Sequence, residues 1–185
     1  MDIFLQLSKY AGLLSTIIVP ILFYIGWRKN KFKLIQNTLS DCGASKKTAR
    51  LFSLTLILFS ILEVIFSFSI ITSLLPNNLF WLIYPPAIAC LFFFIPSIFN
   101  DKTFRFVHLL GASLAILILL LWCFYLQISL YMYHEMVGSI GMVITLIMFV
   151  LPFIWLLKYK LSAIPEIIFI GSIFIWNLFY TLIIW

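Results

Sequence analysis

Six apolar segments, each long enough to cross a lipid bilayer as a helix, constrain the fold of this chain more than any other feature. A helix rises about 1.5 Å per residue, so about 20 apolar residues span the hydrocarbon core. The alternation of apolar and polar residues typical of a membrane barrel is absent. We therefore predict an all-α polytopic membrane protein, one domain formed by a six-helix transmembrane bundle. The segments cover approximately residues 8–27, 51–75, 79–99, 106–130, 136–157 and 165–185.

Composition excludes a soluble protein of this length. Hydrophobic residues make up 64% of the 185 residues and charged residues only 10%, whereas a soluble domain has about 25% charged residues. The three cysteines, Cys42, Cys90 and Cys123, are odd in number and widely spaced. This pattern fits neither a disulfide framework nor a zinc site. We expect three free thiols.

The connections between the predicted helices alternate in charge. The first, third and fifth connections carry eleven Lys and Arg residues, and the other side carries only Lys9. By the positive-inside rule, the basic connections are cytoplasmic and both termini lie outside. Residues 28–50, the basic cytoplasmic loop, either bind anionic lipid headgroups or act only as a topology signal. The basic residues of this loop lie close to the membrane, at the ends of two predicted helices, which argues against a role in nucleic-acid binding. They are Arg28, Lys29, Lys31, Lys33, Lys46, Lys47 and Arg50.

Glu63 is the only full charge placed deep inside an apolar segment. It has twelve residues on either side within the run from Leu51 to Leu75, which puts it close to the bilayer midplane. A carboxylate there costs about 2.5–3.5 kcal/mol on insertion scales. Ser60 and Ser67 lie three and four residues away and share its helix face. We expect this face to point into the bundle, where Glu63 either bonds to a neighbour or lines a binding site.

Depth in the membrane restricts the partners of Glu63. Asn177 lies near the centre of the sixth predicted helix, at a level similar to that of Glu63. His108 lies about ten residues, or roughly 15 Å, from the midplane. We therefore predict that Asn177, and not His108, is the neighbour of Glu63.

A second group of chemically competent residues falls on the basic side. Asp41, Asp101, Arg105 and His108 all lie at or near its connections. His108 with an Asp could provide acid–base function, with Arg105 holding a phosphate headgroup. The alternative is an interfacial histidine satisfied by its surroundings. The spacing suits no metal, and we predict no cofactor.

Small residues and prolines indicate how the helices pack. Gly12 and Thr16, Gly111 and Ala115, and Gly141 and Thr145 are each four residues apart, which allows close helix contact. Pro85, Pro86 and Pro96 remove backbone donors from the third predicted helix. We expect a kink there, and we expect this helix to lie beside the second because their connection is short.

Two short stretches resemble a family of bacterial and archaeal membrane proteins catalogued as domain of unknown function 998. The first is Ser40-Asp41-Cys42-Gly43, and the second is Pro96 followed by His108-Leu109-Leu110-Gly111-Ala112. Cys42 replaces the usual apolar residue, and Glu63 matches no family position. The resemblance implies six helices and a prokaryotic plasma membrane. That family is similar in outline to eukaryotic lipid-anchor-remodelling and autophagy-modulator proteins, and it carries no established reaction.

Three functions are compatible with the sequence. The leading prediction is a non-catalytic scaffold or accessory membrane protein, with an unidentified partner protein, in which Glu63 is bonded structurally. The second is a lipid-binding or lipid-modifying protein with a site on the cytoplasmic side. The third is a small proton-coupled carrier that uses Glu63. Whether the protein is an enzyme stays open at this point.

Overall fold

The computed structural model describes residues 2–33, 36–99, 104–158 and 162–185. Within these ranges the chain is helical and contains no strand. Six helices are long and apolar enough to cross a membrane, as the sequence predicts. The α-helices are α1 Asp2–Asn30, α2 Asp41–Ala44, α3 Ala49–Leu74, α4 Tyr84–Ile98, α5 Arg105–Tyr133, α6 Glu135–Lys158 and α7 Ala163–Ile184.

The long helices form a ring in chain order. Each packs on the next, from α1 and α3 through α4, α5 and α6 to α7, and α7 packs on α1 to close the ring. Helix α3 also contacts α7 across the interior. It is the most deeply buried of the six, which explains why it can carry a polar face.

The third predicted helix runs continuously from Asn77 to Ile98. Its first part, Asn77–Ile83, is a 3-10 helix, and the rest is α4. Pro85 and Pro86 occupy the first turn of α4, where a helix has no backbone bond to lose and proline is favoured. The indole of Trp122 donates a hydrogen bond to the carbonyl of Leu82 over 2.8 Å and ties the 3-10 helix to α5.

The small residues lie at close helix contacts, as predicted. A side chain added at Gly12 would meet the ring of Phe66 on α3 at 2.5 Å. One added at Gly111 would meet Ile95 on α4 at 2.7 Å, and one added at Gly141 would meet Gln127 and Tyr180. A Cβ atom at these positions would collide with these side chains, so glycine leaves them room at the helix contacts.

The connections divide the bundle into two sides. We call the side that holds residues 31–33, 36–48, 99, 104 and 162 the basic side. On the opposite side, α3 leads into the 3-10 helix through Leu75 and Pro76, and α5 leads into α6 through His134. Helices α5 and α6 are therefore joined on the opposite side only.

Candidate functional site

The interior contains two polar regions, and the first surrounds Glu63. Ser15 on α1 donates a hydrogen bond to Glu63 Oε1 over 2.7 Å. Asn177 on α7 donates another to the same oxygen over 2.6 Å. The predicted contact between Glu63 and Asn177 is thus confirmed, and Ser15 adds a donor that the sequence did not single out. Glu63 is only 7% exposed. The hydrogen bonds from α1 and α7 offset the free-energy cost of placing its carboxyl group in the membrane.

A second buried pair extends this region. Tyr180 on α7 donates a hydrogen bond to Gln127 Oε1 on α5, and both side chains are fully buried. They pack against Gly141 on α6. We call Ser15, Glu63, Gln127, Asn177 and Tyr180 the central polar layer.

The predicted serines of α3 face inward. Ser60 and Ser67 are each 2% exposed. The Ser60 hydroxyl donates hydrogen bonds to the backbone carbonyls of Leu56 and Ile57, over 2.9 and 3.0 Å. That bond satisfies the hydroxyl inside the helix, which suits close packing better than ligand contact.

The second polar region borders a cavity of about 400 Å³ in the basic half of the bundle. Its wall is built from α3 to α7 together with Phe23 of α1 and the segment before α2. By helix register, Phe59, Leu120 and Met148 form its deep end. Phe59 lies one helical turn from Glu63. Glu63 itself is not among the lining residues.

The polar groups of the cavity are concentrated at the basic end. His108 lies in the first turn of α5 and Glu166 in the first turn of α7, and Ser40 precedes α2. All three line the cavity. Apart from Ser113, the other lining residues are apolar. The arrangement suits a ligand with a polar head and an apolar body.

His108 is held in a defined orientation. Its Nδ1 atom lies 3.2 Å from the carbonyl oxygen of Phe99, and its ring stacks on Phe52 with 6.5 Å between centroids. The side chain is 3% exposed. The prediction of a satisfied interfacial histidine is confirmed for Nδ1, and the ring also faces a cavity that the sequence did not reveal.

The other predicted residues of the basic side do not all join His108. The Asp41 carboxylate accepts hydrogen bonds from the Thr38 backbone over 2.9 Å and from the Asn37 amide over 3.2 Å, so it stabilises its own turn. Asp101 lies outside the described residues. The backbone of Arg105 begins α5, and its side chain is likewise outside the described part.

Glu166 is the site residue that sequence reasoning missed. Its Oε2 atom accepts a hydrogen bond from the backbone N–H of Leu39, across 127 residues of chain. This contact holds the segment before α2 against the first turn of α7. An acidic residue in the first turn of a helix, next to a basic connection, was the available signal.

Cys42 lies buried behind this segment, in α2. Burial first, and then the carboxylates of Asp41 and Glu166, raise the pKa of its thiol to about 12. The thiol therefore stays protonated at neutral pH. Cys42, Cys90 and Cys123 are all free, as predicted.

The basic residues of the first connection point away from the protein. The seven side chains predicted to meet lipid headgroups are all exposed, and they are Arg28, Lys29, Lys31, Lys33, Lys46, Lys47 and Arg50. Comparison of the chain with protein-family models, curated proteins and solved structures finds no match.

Proposed function

We propose that this protein binds a membrane amphiphile in the cavity on its basic side. The observation that carries the proposal is an apolar space of about 400 Å³ with its polar groups concentrated at one end. Sites for small molecules commonly enclose roughly 300–1,000 Å³ and are mostly apolar with a few placed polar groups. The apolar part of the ligand would lie between α3, α5, α6 and α7, and its head would lie beside His108.

The route into the cavity supports a ligand that comes from the bilayer. Several lining residues of α5 and α6 are also exposed, including Leu109 at 44% and Phe153 at 53%. Because α5 and α6 are joined only on the opposite side, their basic halves are free to diverge. In a membrane, an opening bordered by exposed apolar side chains would face lipid chains instead of water.

This proposal takes up the lipid-binding alternative in preference to the scaffold and the proton carrier. Glu63, the residue on which the carrier depends, already accepts hydrogen bonds from Ser15 and Asn177. A scaffold accounts for Glu63 but gives no reason for an apolar cavity with a polar end. We propose binding and assign no reaction.

Charge and family resemblance suggest where the protein works. We propose a prokaryotic plasma membrane, with the basic side in the cytoplasm and both termini outside. Alkaline phosphatase fused after Trp185 should be active, and green fluorescent protein fused there should be dark. The reverse pattern would contradict this orientation.

Filling the cavity tests the proposed function. Ala112 lines the cavity, whereas a Cβ atom added at Gly171 on α7 meets nothing within 4 Å. We expect the natural protein and Gly171→Phe, purified gently from membranes, to retain a bound lipid in native mass spectrometry. Ala112→Phe should lose it. Equal retention by all three folded proteins would refute the cavity as the binding site.

A further inference from the structure

We infer that the deep end of the cavity limits the length of the ligand's apolar chain, so that the cavity takes a single-chain amphiphile of medium length. This inference rests on the proposed function, because it names the class of amphiphile that the same cavity would take. Three residues form the limit, and they are Phe59 on α3, Leu120 on α5 and Met148 on α6.

The depth of the cavity follows from the helices that line it. On α5 the lining residues run from His108 to Leu120, and on α6 they run from Leu156 to Met148. At a rise of about 1.5 Å per residue, these stretches are about 18 Å and about 12 Å long. Half of a hydrocarbon core of about 30 Å is about 15 Å thick. The cavity is therefore about as deep as one leaflet of the bilayer.

The volume of the cavity suits one chain and not two. It is about 400 Å³. A water molecule occupies about 30 Å³ in the liquid, and a methylene group is of similar size, so the cavity has room for about 13 such groups. One chain of about 12 carbon atoms with a small head fills this space. A phospholipid with two longer chains does not fit inside it.

The cavity is open along its basic half and closed at its deep end. Among the described lining residues of α5 and α6, the exposed ones all lie between the basic end and the level of Leu120 and Met148. They are Leu109, Ser113, Phe149, Phe153 and Leu156. In contrast, Phe59, Leu120 and Met148 are each at most 7% exposed. A chain that enters between α5 and α6 therefore ends against these three side chains.

The central polar layer lies directly beyond this end. Glu63 lies one turn beyond Phe59 and accepts two hydrogen bonds from other helices. Gly141 lies two turns beyond Met148, and a Cβ atom added there would collide with side chains of the central polar layer. A longer chain would have to separate these polar groups, and an alkyl chain gives them no hydrogen bond in return. The layer thus prevents the cavity from lengthening towards the opposite side.

Phe59 and Met148 limit the chain in different ways. The ring of Phe59 packs edge-on against Phe93 of α4, with 5.8 Å between the ring centroids, which fixes the limit on the α3 side. Met148 is unbranched, and three heavy atoms lie beyond its Cβ atom. Its replacement by alanine therefore lengthens the cavity by about three methylene groups.

Chain length acts through fit and not through hydrophobicity. Lipid chains are as apolar as the side chains of the cavity wall, so a chain gains little from apolar contact alone when it leaves the bilayer. A chain that is too long costs free energy, because packed interiors tolerate extra methylene groups poorly. The preferred chain is the one that fills the cavity without displacing its deep end.

Three alcohols with one head and different chains test the inference. Dodecanol, hexadecanol and eicosanol are titrated into the protein in lipid nanodiscs, and native mass spectrometry counts the alcohol bound to each protein. Affinities are expressed against the mole fraction of alcohol in the lipid, and Ala112→Phe provides the baseline. We expect dodecanol to bind at least about tenfold more tightly than eicosanol, which corresponds to about 1.4 kcal/mol.

The outcomes separate the inference from the proposed function. Binding of eicosanol equal to or tighter than that of dodecanol would overturn the length limit and leave the proposed function standing. Binding of none of the three alcohols above the baseline would refute the proposed function. The preference among alcohols is measured on the natural protein, so it does not depend on the folding of a variant.

Met148→Ala tests the residue that sets the limit. We expect the ratio of hexadecanol to dodecanol affinity to rise about tenfold, because the lengthened cavity accepts the longer chain. Met142 lies on the same helix and is not among the lining residues. Met142→Ala is therefore the matched control, and its ratio should equal that of the natural protein. An unchanged ratio in folded Met148→Ala would overturn the role of Met148.

Discussion

The central polar layer and the polar end of the cavity differ in how their polar side chains are satisfied. In the central layer, Glu63 is surrounded by donors from α1 and α7, and close packing at Gly12 and Gly141 accompanies it. At the cavity, the Nδ1 atom of His108 has a hydrogen-bond partner, and the ring borders the cavity. Glu63, the residue whose insertion into the membrane costs the most free energy, thus joins α3 to α1 and α7 through hydrogen bonds. The candidate site depends on a less conspicuous histidine.

Packing should distinguish the two regions most strongly. Gly12→Leu forces a side chain into Phe66, and we expect it to lower the free energy of unfolding by about 3 kcal/mol, the upper end for overpacking. Ala112→Leu extends into the cavity and should change it by less than about 1 kcal/mol while displacing ligand. Unfolding in mixed detergent micelles measures both. Similar large losses would mean that the cavity is as tightly packed as the centre.

Removing one donor from Glu63 should have the next largest effect. We expect Asn177→Leu to lower the free energy of unfolding by about 2 kcal/mol, because the buried carboxyl keeps only Ser15 as a partner. Ligand retention per folded molecule should not change. Leu182→Ala, at an exposed position on the same helix, is the control and should stay within about 0.5 kcal/mol. Loss of ligand in a folded Asn177→Leu protein would join the two regions that we separate.

The thiol of Cys42 should report the electrostatics of the cavity end. Its pKa is about 12 in the folded protein against 9.0 for the ordinary thiol. Above pH 9 the unfolded chain therefore releases a proton that the folded chain keeps, so this contribution to stability is present below pH 9 and is lost as the pH rises towards 12. Between pH 8 and pH 10 the loss is about 1.3 kcal/mol, from about 1.4 kcal/mol per unit of pKa shift.

Comparison with Cys42→Ser isolates this effect from other alkaline transitions. The natural protein should lose about 1.3 kcal/mol more than the variant over that pH interval, as measured by unfolding at the two pH values. Parallel losses would show that the Cys42 thiol is not held protonated.

The smallest effect on stability should come from the outer basic surface. Lys46→Gln combined with Lys47→Gln should change the free energy of unfolding by less than about 0.5 kcal/mol, because both side chains are exposed. Retention of anionic lipid should weaken by about 1 kcal/mol for each lysine. Lipid exchange followed by native mass spectrometry measures this, and retention of the lipid in the cavity should be unaffected. A parallel loss of the cavity lipid would place both lipids at one site.

The sequence predicted the parts of the fold that depend on hydrophobicity and depth. Length and apolar content predicted the six helices that are long enough to span a membrane. Similar depth in the membrane was sufficient to predict the contact between Glu63 and Asn177. Ser15 escaped prediction because a serine in an apolar helix most often bonds to its own backbone, as Ser60 does. The 3-10 geometry before α4 was not predicted, because prolines at the start of an α-helix and prolines within a kinked helix look alike in sequence.

The cavity could not be predicted because it depends on where side chains fail to meet. His108 was found as a candidate from its type and position, but nothing in the local sequence shows that Met148 and Phe59 leave space between them and the basic end. Glu166 contacts Leu39 across 127 residues. Its role follows from ring closure, which brings the start of α7 against the segment before α2.

Closure of the ring also sets the order in which the protein can be assembled during biosynthesis. Helix α7 is made after the other five long helices, so Ser15 is available to Glu63 as soon as α3 enters the membrane, whereas Asn177 arrives only with α7. Until then the carboxyl group of Glu63 has one hydrogen-bond donor instead of two, and the surrounding lipid offers no substitute donor. A bundle without α7 is therefore incomplete at Glu63, and the hydrogen bond from Asn177 forms only when the last helix has packed.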